Sequence, residues 1–454
     1  MRISGLHFLV LFIAVLSLSL TSLTACGGSP IITPPPSGVT ISITAAPSSI
    51  GTGANYQFSA TVTGSSNQDV SWSTSAGTID SGGLFIAPAT AATVTITAAA
   101  AADASKTAQT TITVQATDPM GTISSLTQLS SCSGSVPNAT CYSMTVSCPG
   151  VADLSAYLKV NNPQNVPIGT VLLNTGTGGS GLYDDPNSGG YNFGSNVVQS
   201  LLLAAYNTVQ ISFGSPFNQD QKNGWLQGPG GVRRVACRYA TVADWVYNHP
   251  QAINPDANVT SSKPMCATGN SGGSAAIAYA AFEYGLDSEF AMIEPTSGPV
   301  MSRVDLGCSP CSASVVGNVC ANSNNVPNMC YLDPDAKIID EAYKNVDATT
   351  PTPCSDGLHN SASAGLTAQL LSDSILYGGS TQNINMPNTI LKQLLGDDDT
   401  SNAVPQATTW ESQATPSPSS PSPRFACLAG VQHDLPNFPS AAQQIADDVI
   451  QYCH

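Results

Sequence analysis

The chain has 454 residues, too many for one compact module, and its 29 acidic against 13 basic residues leave a net charge of −16. That balance argues against nucleic acid or an anionic membrane surface as partner, because either would need a concentration of Lys and Arg. Only 9% of residues are charged, and beyond the first 20 residues no stretch is apolar and long enough to span a bilayer.

In chain order, the first feature is an address. Met1-Arg2 precedes an apolar run from Leu6 to Leu20, followed by Leu23-Thr-Ala-Cys26-Gly27. One basic residue, a short apolar core and small residues before a cleavage point describe a secretory leader. The Leu-Thr-Ala-Cys tetrad resembles the lipobox of bacterial lipoproteins. The resemblance implies a signal peptide over 1–25, acylation of Cys26 and anchoring to a bacterial membrane, at the periplasmic or outer surface. Residues 26–38, rich in Pro and Gly, read as an extended tether.

From 39 to 116 the text is all β. Val39-Thr-Ile-Ser-Ile-Thr, Tyr56-Gln-Phe-Ser-Ala-Thr-Val, Val70-Ser-Trp-Ser-Thr, Gly83-Leu-Phe-Ile-Ala, Val94-Thr-Ile-Thr-Ala and Thr110-Thr-Ile-Thr-Val alternate apolar and polar residues between turn clusters. Short strands at this spacing predict a sandwich. The Val70-Ser-Trp72, Gly77-Thr-Ile-Asp80 and Gly83-to-Pro88 stretches resemble bacterial immunoglobulin-like modules of exported proteins. With no His or Cys, this part reads as a spacer or weak adhesive unit. A polar linker is expected over 117–131.

Thirteen cysteines, less Cys26, leave twelve, all after residue 131. In an oxidising compartment they are expected to form disulfides. Cys308-Ser-Pro-Cys311 starts like a zinc site, but no second C-x-x-C and no close histidine follow, so no metal site is expected.

Over 132–454 the pattern changes. Cys141–Cys148 and Leu154–Val160 read as an opening antiparallel pair. Apolar strands follow at Ile168–Asn174, Thr208–Phe213, Pro264–Thr268, Phe290–Glu294, Thr389–Leu395 and Phe425–Ala429. Helical text lies between them at 196–205, 240–248, 272–284 and 361–376, and a last helix covers 440–451. Buried strands alternating with helices predict an α/β domain, a mainly parallel sheet with helices on both faces. An irregular, five-cysteine insertion at about 297–360 sits where a lid would sit. The Pro/Ser-rich run 414–423 reads as a surface excursion without function.

Within this frame, Gly269-Asn-Ser-Gly-Gly273 is a G-x-S-x-G pentapeptide between a strand and an Ala-rich helix. In a chain with 39 glycines the pentapeptide alone is weak, so its placement carries the argument. Small residues around the serine permit a sharp strand-to-helix turn that lifts the hydroxyl to a helix N-terminus. Residues 130–454 therefore resemble the α/β-hydrolase fold, and Ser271 stands where that family has its nucleophile elbow. The family order of nucleophile, acid and histidine is met by Ser271, the Asp397-Asp398-Asp399 run after the strand ending at Leu395, and His433 before the last helix. Of the five histidines, His7 lies in the leader, His249 before Pro250, His359 in the cysteine-rich stretch and His454 at the terminus. Only His433 falls where the fold wants its base. The family tendency G-x-x-D favours Asp399 as the acid, with Asp398 as the alternative. The Gly-rich loop Asn174–Gly181 would supply an oxyanion hole from the backbone N–H groups of Thr177 and Gly272, although Thr175 replaces the family histidine.

The resemblance implies a serine hydrolase that needs no cofactor and cleaves carboxylic esters of small molecules or polymers through an acyl-serine, and a monomer is expected. The same triad would serve a serine peptidase. A non-catalytic surface-binding lipoprotein is the reading from a different class, since fold alone does not imply activity.

Overall fold

The computed structural model describes residues 38–454 apart from 48, 53–54, 89, 215–223, 256–259, 261–262, 312–319, 321–327, 345–350, 360–363 and 380–383. The leader 1–25, Cys26 and the tether up to residue 37 lie outside the described residues.

Between Thr40 and Gln115 every described element is a strand. Its longest feature is an antiparallel hairpin of Ala92–Ala100 against Asp103–Gln115. Val94, Ile96 and Ala98 alternate inward with exposed or half-buried threonines, the period-two pattern of a sheet with one face on a core. That core holds Phe58, Phe85, Val94, Ile96, Ile112 and Val114 as a cluster of its own.

The remainder is a mixed α/β unit around one ten-stranded sheet. Its strands are β1 (Thr122–Gln128), β2 (Thr140–Ser147), β3 (Leu154–Asn161), β4 (Gly169–Asn174), β5 (Tyr206–Phe213), β6 (Met265–Asn270), β7 (Phe290–Thr296), β8 (Ile390–Leu391), β9 (Gln393–Gly396) and β10 (Phe425–Leu428). The order is β1-β2-β3-β5-β4-β6-β7-β9-β10, with β8 also on β7. The first three pairings are antiparallel and the rest parallel. β4, β5 and β6 are buried along their whole length, as strands covered on both faces must be.

Alternate side chains go to different layers. Val171, Leu173, Cys266 and Met292 join α1 (Gly194–Leu203) and the C-terminal helix on one face. Leu172, Ala267 and Ile293 join α2 (Cys237–Asn248) and α3 (Gly272–Phe282) on the other. Helix α3 is buried on nearly every side, which its Gly, Ala and Ser residues allow because they let the sheet and α2 approach closely.

Three expectations change. The stretch 117–131 is not a free linker: β1 forms the sheet edge there, and Asp118 pairs with Arg233 at 2.6 Å. An edge strand buries little, so Thr-Ile-Ser-Ser-Leu-Thr-Gln carries no clear apolar face and reads as polar linker. The apolar run 389–395 is two strands that break at Lys392. The Pro/Ser-rich run is partly ordered, because Ala414–Pro416 pairs in parallel with Ile384–Met386.

The insertion after β7 is not wholly irregular. Its described residues include α4 (Asp333–Asp340) and α5 (Pro353–His359), and α6 (Ala364–Ser372) follows it within the helical stretch expected at 361–376. Two further helices are α7 (Ala403–Gln413) and α8 (Pro439–Tyr452). All twelve later cysteines are paired: 132–141, 148–237, 266–453, 308–354, 311–330 and 320–427. The Cys308-Ser-Pro-Cys311 start is thus divided between two disulfides.

On β7, Glu294 is fully buried. Burial pushes its carboxyl well up, the Asp448 carboxylate adds to the rise, and Lys392 offsets a little of it. A folded-state value above the ordinary 4.5 means that stability is retained at low pH and lost as pH rises. Glu294→Gln should therefore flatten the fall of the thermal midpoint as pH rises above 4.5. An unchanged slope in scanning calorimetry would count against a buried acidic proton at this position.

Candidate active site

The site begins with a backbone constraint. β6 ends at Asn270, α3 starts at Gly272, and Ser271 between them has φ 54° and ψ −118°. A non-glycine residue in this region costs on the order of 1–3 kcal/mol and persists only where its surroundings hold it. Here they do. The Ser271 N–H donates to the Thr296 carbonyl at 2.9 Å, and its carbonyl accepts from the N–H groups of Ser274 and Ala275. The neighbouring glycines leave no room for alternatives. A Cβ on Gly272 would lie 1.8 Å from the Thr177 carbonyl oxygen, and one on Gly273 would lie 2.6 Å from that of Thr175. The turn and the loop after β4 thus meet backbone to backbone.

That loop is held from both sides. The Gly176 N–H donates to the Tyr191 hydroxyl at 2.8 Å. Gly179 N–H donates to Gly176, and Trp225 N–H to Gly178. Thr177 sits at its crest with φ 52°. Among the described residues, neither the Thr177 nor the Gly272 N–H donates to a protein acceptor. Both residues border the same cavity as Ser271.

The Asp run resolves by geometry. Asp399 is fully buried, and its Oδ2 lies 2.9 Å from His433 Nδ1. Asp397 instead accepts the Gly430 N–H at 2.7 Å, and the Asp398 N–H donates to the Val431 carbonyl. Burial works to raise the Asp399 carboxyl, but the His433 hydrogen bond and charge, with two hydrogen bonds from Ser401, hold it below the usual value. For His433, burial opposes the charged ring. The hydrogen bond and charge of Asp399, aided by Asp434 and Asp335, overcome this and raise it above 6.5.

The cavity has a volume of about 240 Å³ and is bordered by Ser271, Gly272, Thr177 and His433 on the sheet side. Val300, Met301, Tyr331 and Ile338 of the insertion give it an apolar roof. His433 is 32% exposed, and no hydrogen bond to Ser271 is present in this state.

Other residues complete the site without any sequence signal. The Ser401 hydroxyl lies 3.0 Å from His433 Nδ1. Asn270 donates to the His433 carbonyl at 3.2 Å and accepts from Thr296 Oγ1 at 3.0 Å, tying the histidine loop to the turn. Only the neighbouring position of Asn270 in the pentapeptide could have pointed to it. Among the described residues no group of His, Cys, Asp and Glu could hold a metal ion.

No family model and no curated protein matches the sequence. Solved structures resemble it at low identity. A putative hydrolase from Agrobacterium vitis S4 superposes with a TM-score of 0.40 at 10% identity, over 70% of this chain and 99% of that one. An acetyl xylan esterase from Paenibacillus sp. R4 gives 0.40 at 11%, over 72% and 88%. A soluble variant of monoglyceride lipase from Saccharomyces cerevisiae gives 0.37 at 12%, over 73% and 95%. Overlaps of this size leave the reading of the site to its own geometry.

Asp399→Asn should lower the His433 pKa below 6.5, because burial then acts with only the weaker charges of Asp434 and Asp335 against it. A titration of the ring by NMR reads this directly. An unchanged value would mean that the 2.9 Å contact does not govern the imidazole.

Proposed function

We propose that the chain is an α/β-hydrolase-fold serine hydrolase that cleaves carboxylic esters through an acyl-serine. The observation that carries this reading is the buried Asp399 hydrogen-bonded to His433 Nδ1 at 2.9 Å, with the other ring nitrogen left for the cavity that Ser271 enters. A serine hydroxyl is a poor nucleophile until a base takes its proton. In this reading His433 Nε2 is that base, and Asp399 fixes its tautomer and stabilises the imidazolium.

The acyl carbon of the substrate receives the Ser271 Oγ, and the proton passes to His433. The carbonyl oxygen becomes an oxyanion, to which the Thr177 and Gly272 N–H groups donate. The α3 N-terminus adds its positive dipole end. The tetrahedral adduct collapses as its C–O bond breaks, and His433 returns the proton to the departing alcohol. Water then attacks the acyl-serine with the same base, releasing the acid and restoring Ser271. The apolar roof suits the acyl chain of an ester better than a charged or strongly hydrated group. No cofactor enters any step.

Export belongs to the same reading. Six disulfides are chemistry of an oxidising compartment. The leader and the Cys26 tetrad are the reason to place the protein on a bacterial membrane, with the β-rich unit of 39–116 as an immunoglobulin-like spacer and the enzyme acting as a monomer.

The test is reaction of the oxidised protein with a fluorophosphonate probe followed by peptide mapping. Label should reside on Ser271 and vanish in Ser271→Ala. Asp399→Asn should slow turnover of a chromogenic short-chain ester by roughly 10⁴-fold, whereas Asp398→Asn should change it little. Folded protein that takes no label would rule out the serine-hydrolase reading. Label without ester turnover, but with peptide turnover, would reassign the substrate class.

A further inference from the structure

Helix α4 of the insertion brings one carboxylate, Asp335, to the cavity that Ser271 and His433 border. Among the described residues no Lys or Arg borders that cavity, and Asp335 pairs with none. Burial raises its carboxyl above the ordinary value, the nearby His433 charge opposes that rise, and Asp399 adds weakly to it; Tyr331 on the same cavity also feels its charge. Asp335 and His433 thus line one cavity and sit near enough for each to act on the other's charge.

There is a purely structural use for this side chain. Leu332 is the N-cap of α4 and Asp335 is the third helical residue, so its carboxylate is placed near the Leu332 N–H, which offsets part of the rise that burial causes. This is the reach-back half of a capping box. That role requires an acceptor oxygen, which Asn or Ser would also provide. It does not require a negative charge beside an imidazole, so the charge itself is left to act on whatever occupies the cavity.

In acyl transfer, the imidazolium gives its proton to the leaving group, which therefore departs past His433. A group at the histidine end of the cavity consequently meets the alcohol side of the substrate. We propose that Asp335 is a specificity-determining residue that favours substrates whose leaving group carries an ammonium charge and disfavours those whose leaving group is anionic. The inference rests on the serine-hydrolase reading of the same site and adds to it the charge of the departing alcohol. Apart from His433, the cavity walls around Asp335 carry no basic side chain among the described residues, so a carboxylate or phosphate entering there finds no Lys or Arg.

A pair of phosphonothiolate probes tests this without knowledge of the natural ester. Both carry the same phosphonyl group. One releases a 2-(trimethylammonio)ethanethiolate and the other its neutral carbon isostere, 3,3-dimethylbutanethiolate. In each reaction the Ser271 Oγ–P bond forms, the P–S bond breaks, and the serine proton leaves with the thiol through His433. Rates of mass gain at Ser271 are divided by each probe's hydroxide hydrolysis rate, which removes intrinsic reactivity. The native protein should prefer the cationic probe by about tenfold, a difference of about 1.4 kcal/mol.

In Asp335→Asn, and in Asp335→Ser should the first variant not fold, the ratio should fall toward one, whatever the absolute rates. A native ratio near or below one, or a ratio that survives both substitutions, would overturn the proposal and leave the serine-hydrolase reading intact. Folded native protein that reacts with neither probe nor a fluorophosphonate would overturn both.

Discussion

The arrangement depends on one backbone turn. Ser271 takes a conformation that non-glycine residues avoid, and the price is met by packing that involves no large side chain. Gly272 and Gly273 touch the carbonyls of Thr177 and Thr175, so the strand-to-helix turn and the loop after β4 form one rigid backbone unit. That unit aims two N–H groups and one hydroxyl into the same cavity. Any Cβ at position 272 would push the two halves apart, which separates the donors from the place where charge would develop. The glycines are thus a requirement of contact as much as of φ.

The histidine end is built by different means. His433 lies between β10 and α8, elements distant in sequence from the turn. Its position relative to Ser271 is maintained by Asn270, which bridges the His433 carbonyl and Thr296, and by Asp399 beneath the ring. The insertion that roofs the cavity is joined to this end covalently. Cys320 pairs with Cys427 on β10, six residues before His433. A crosslink spanning 107 residues removes much loop freedom from the unfolded chain, worth about 4–5 kcal/mol in the chain-entropy picture. It also prevents the roof from drifting far from the histidine.

Much of this was legible in the sequence, for identifiable reasons. Buried parallel strands are continuous apolar runs, and the elbow is a local pattern of small residues, so β4 to β7 and Ser271 can be read from neighbouring letters. Asp399 is favoured there only by the G-x-x-D resemblance, which leaves Asp398 open. Three adjacent aspartates share one composition, and only the turn after Gly396 decides that Asp397 faces Gly430 while Asp399 faces the ring. β1 was unreadable because an edge strand has no buried face to impose alternation. Ser401, Tyr191 and Asn270 escaped because their partners lie far away in sequence or in loops, where no periodicity applies.

Electrostatics explains why the insertion matters beyond covering the site. A protein with 29 acidic and 13 basic residues carries a net charge of −16, and a net charge by itself selects nothing. Selection requires a charge held where water is scarce and counter-charge is absent. Asp399 does not qualify, because His433 and Ser401 already engage it. Asp434, beside the ring, is exposed on the loop and accepts from Asn270. Asp335 differs from both: it comes from the roof, lines the same cavity as His433 and pairs with no Lys or Arg. The same helix that closes the cavity with Ile338 and Ile339 therefore also sets its sign. Apolar shape and charge preference enter together, on one element that the sheet does not constrain.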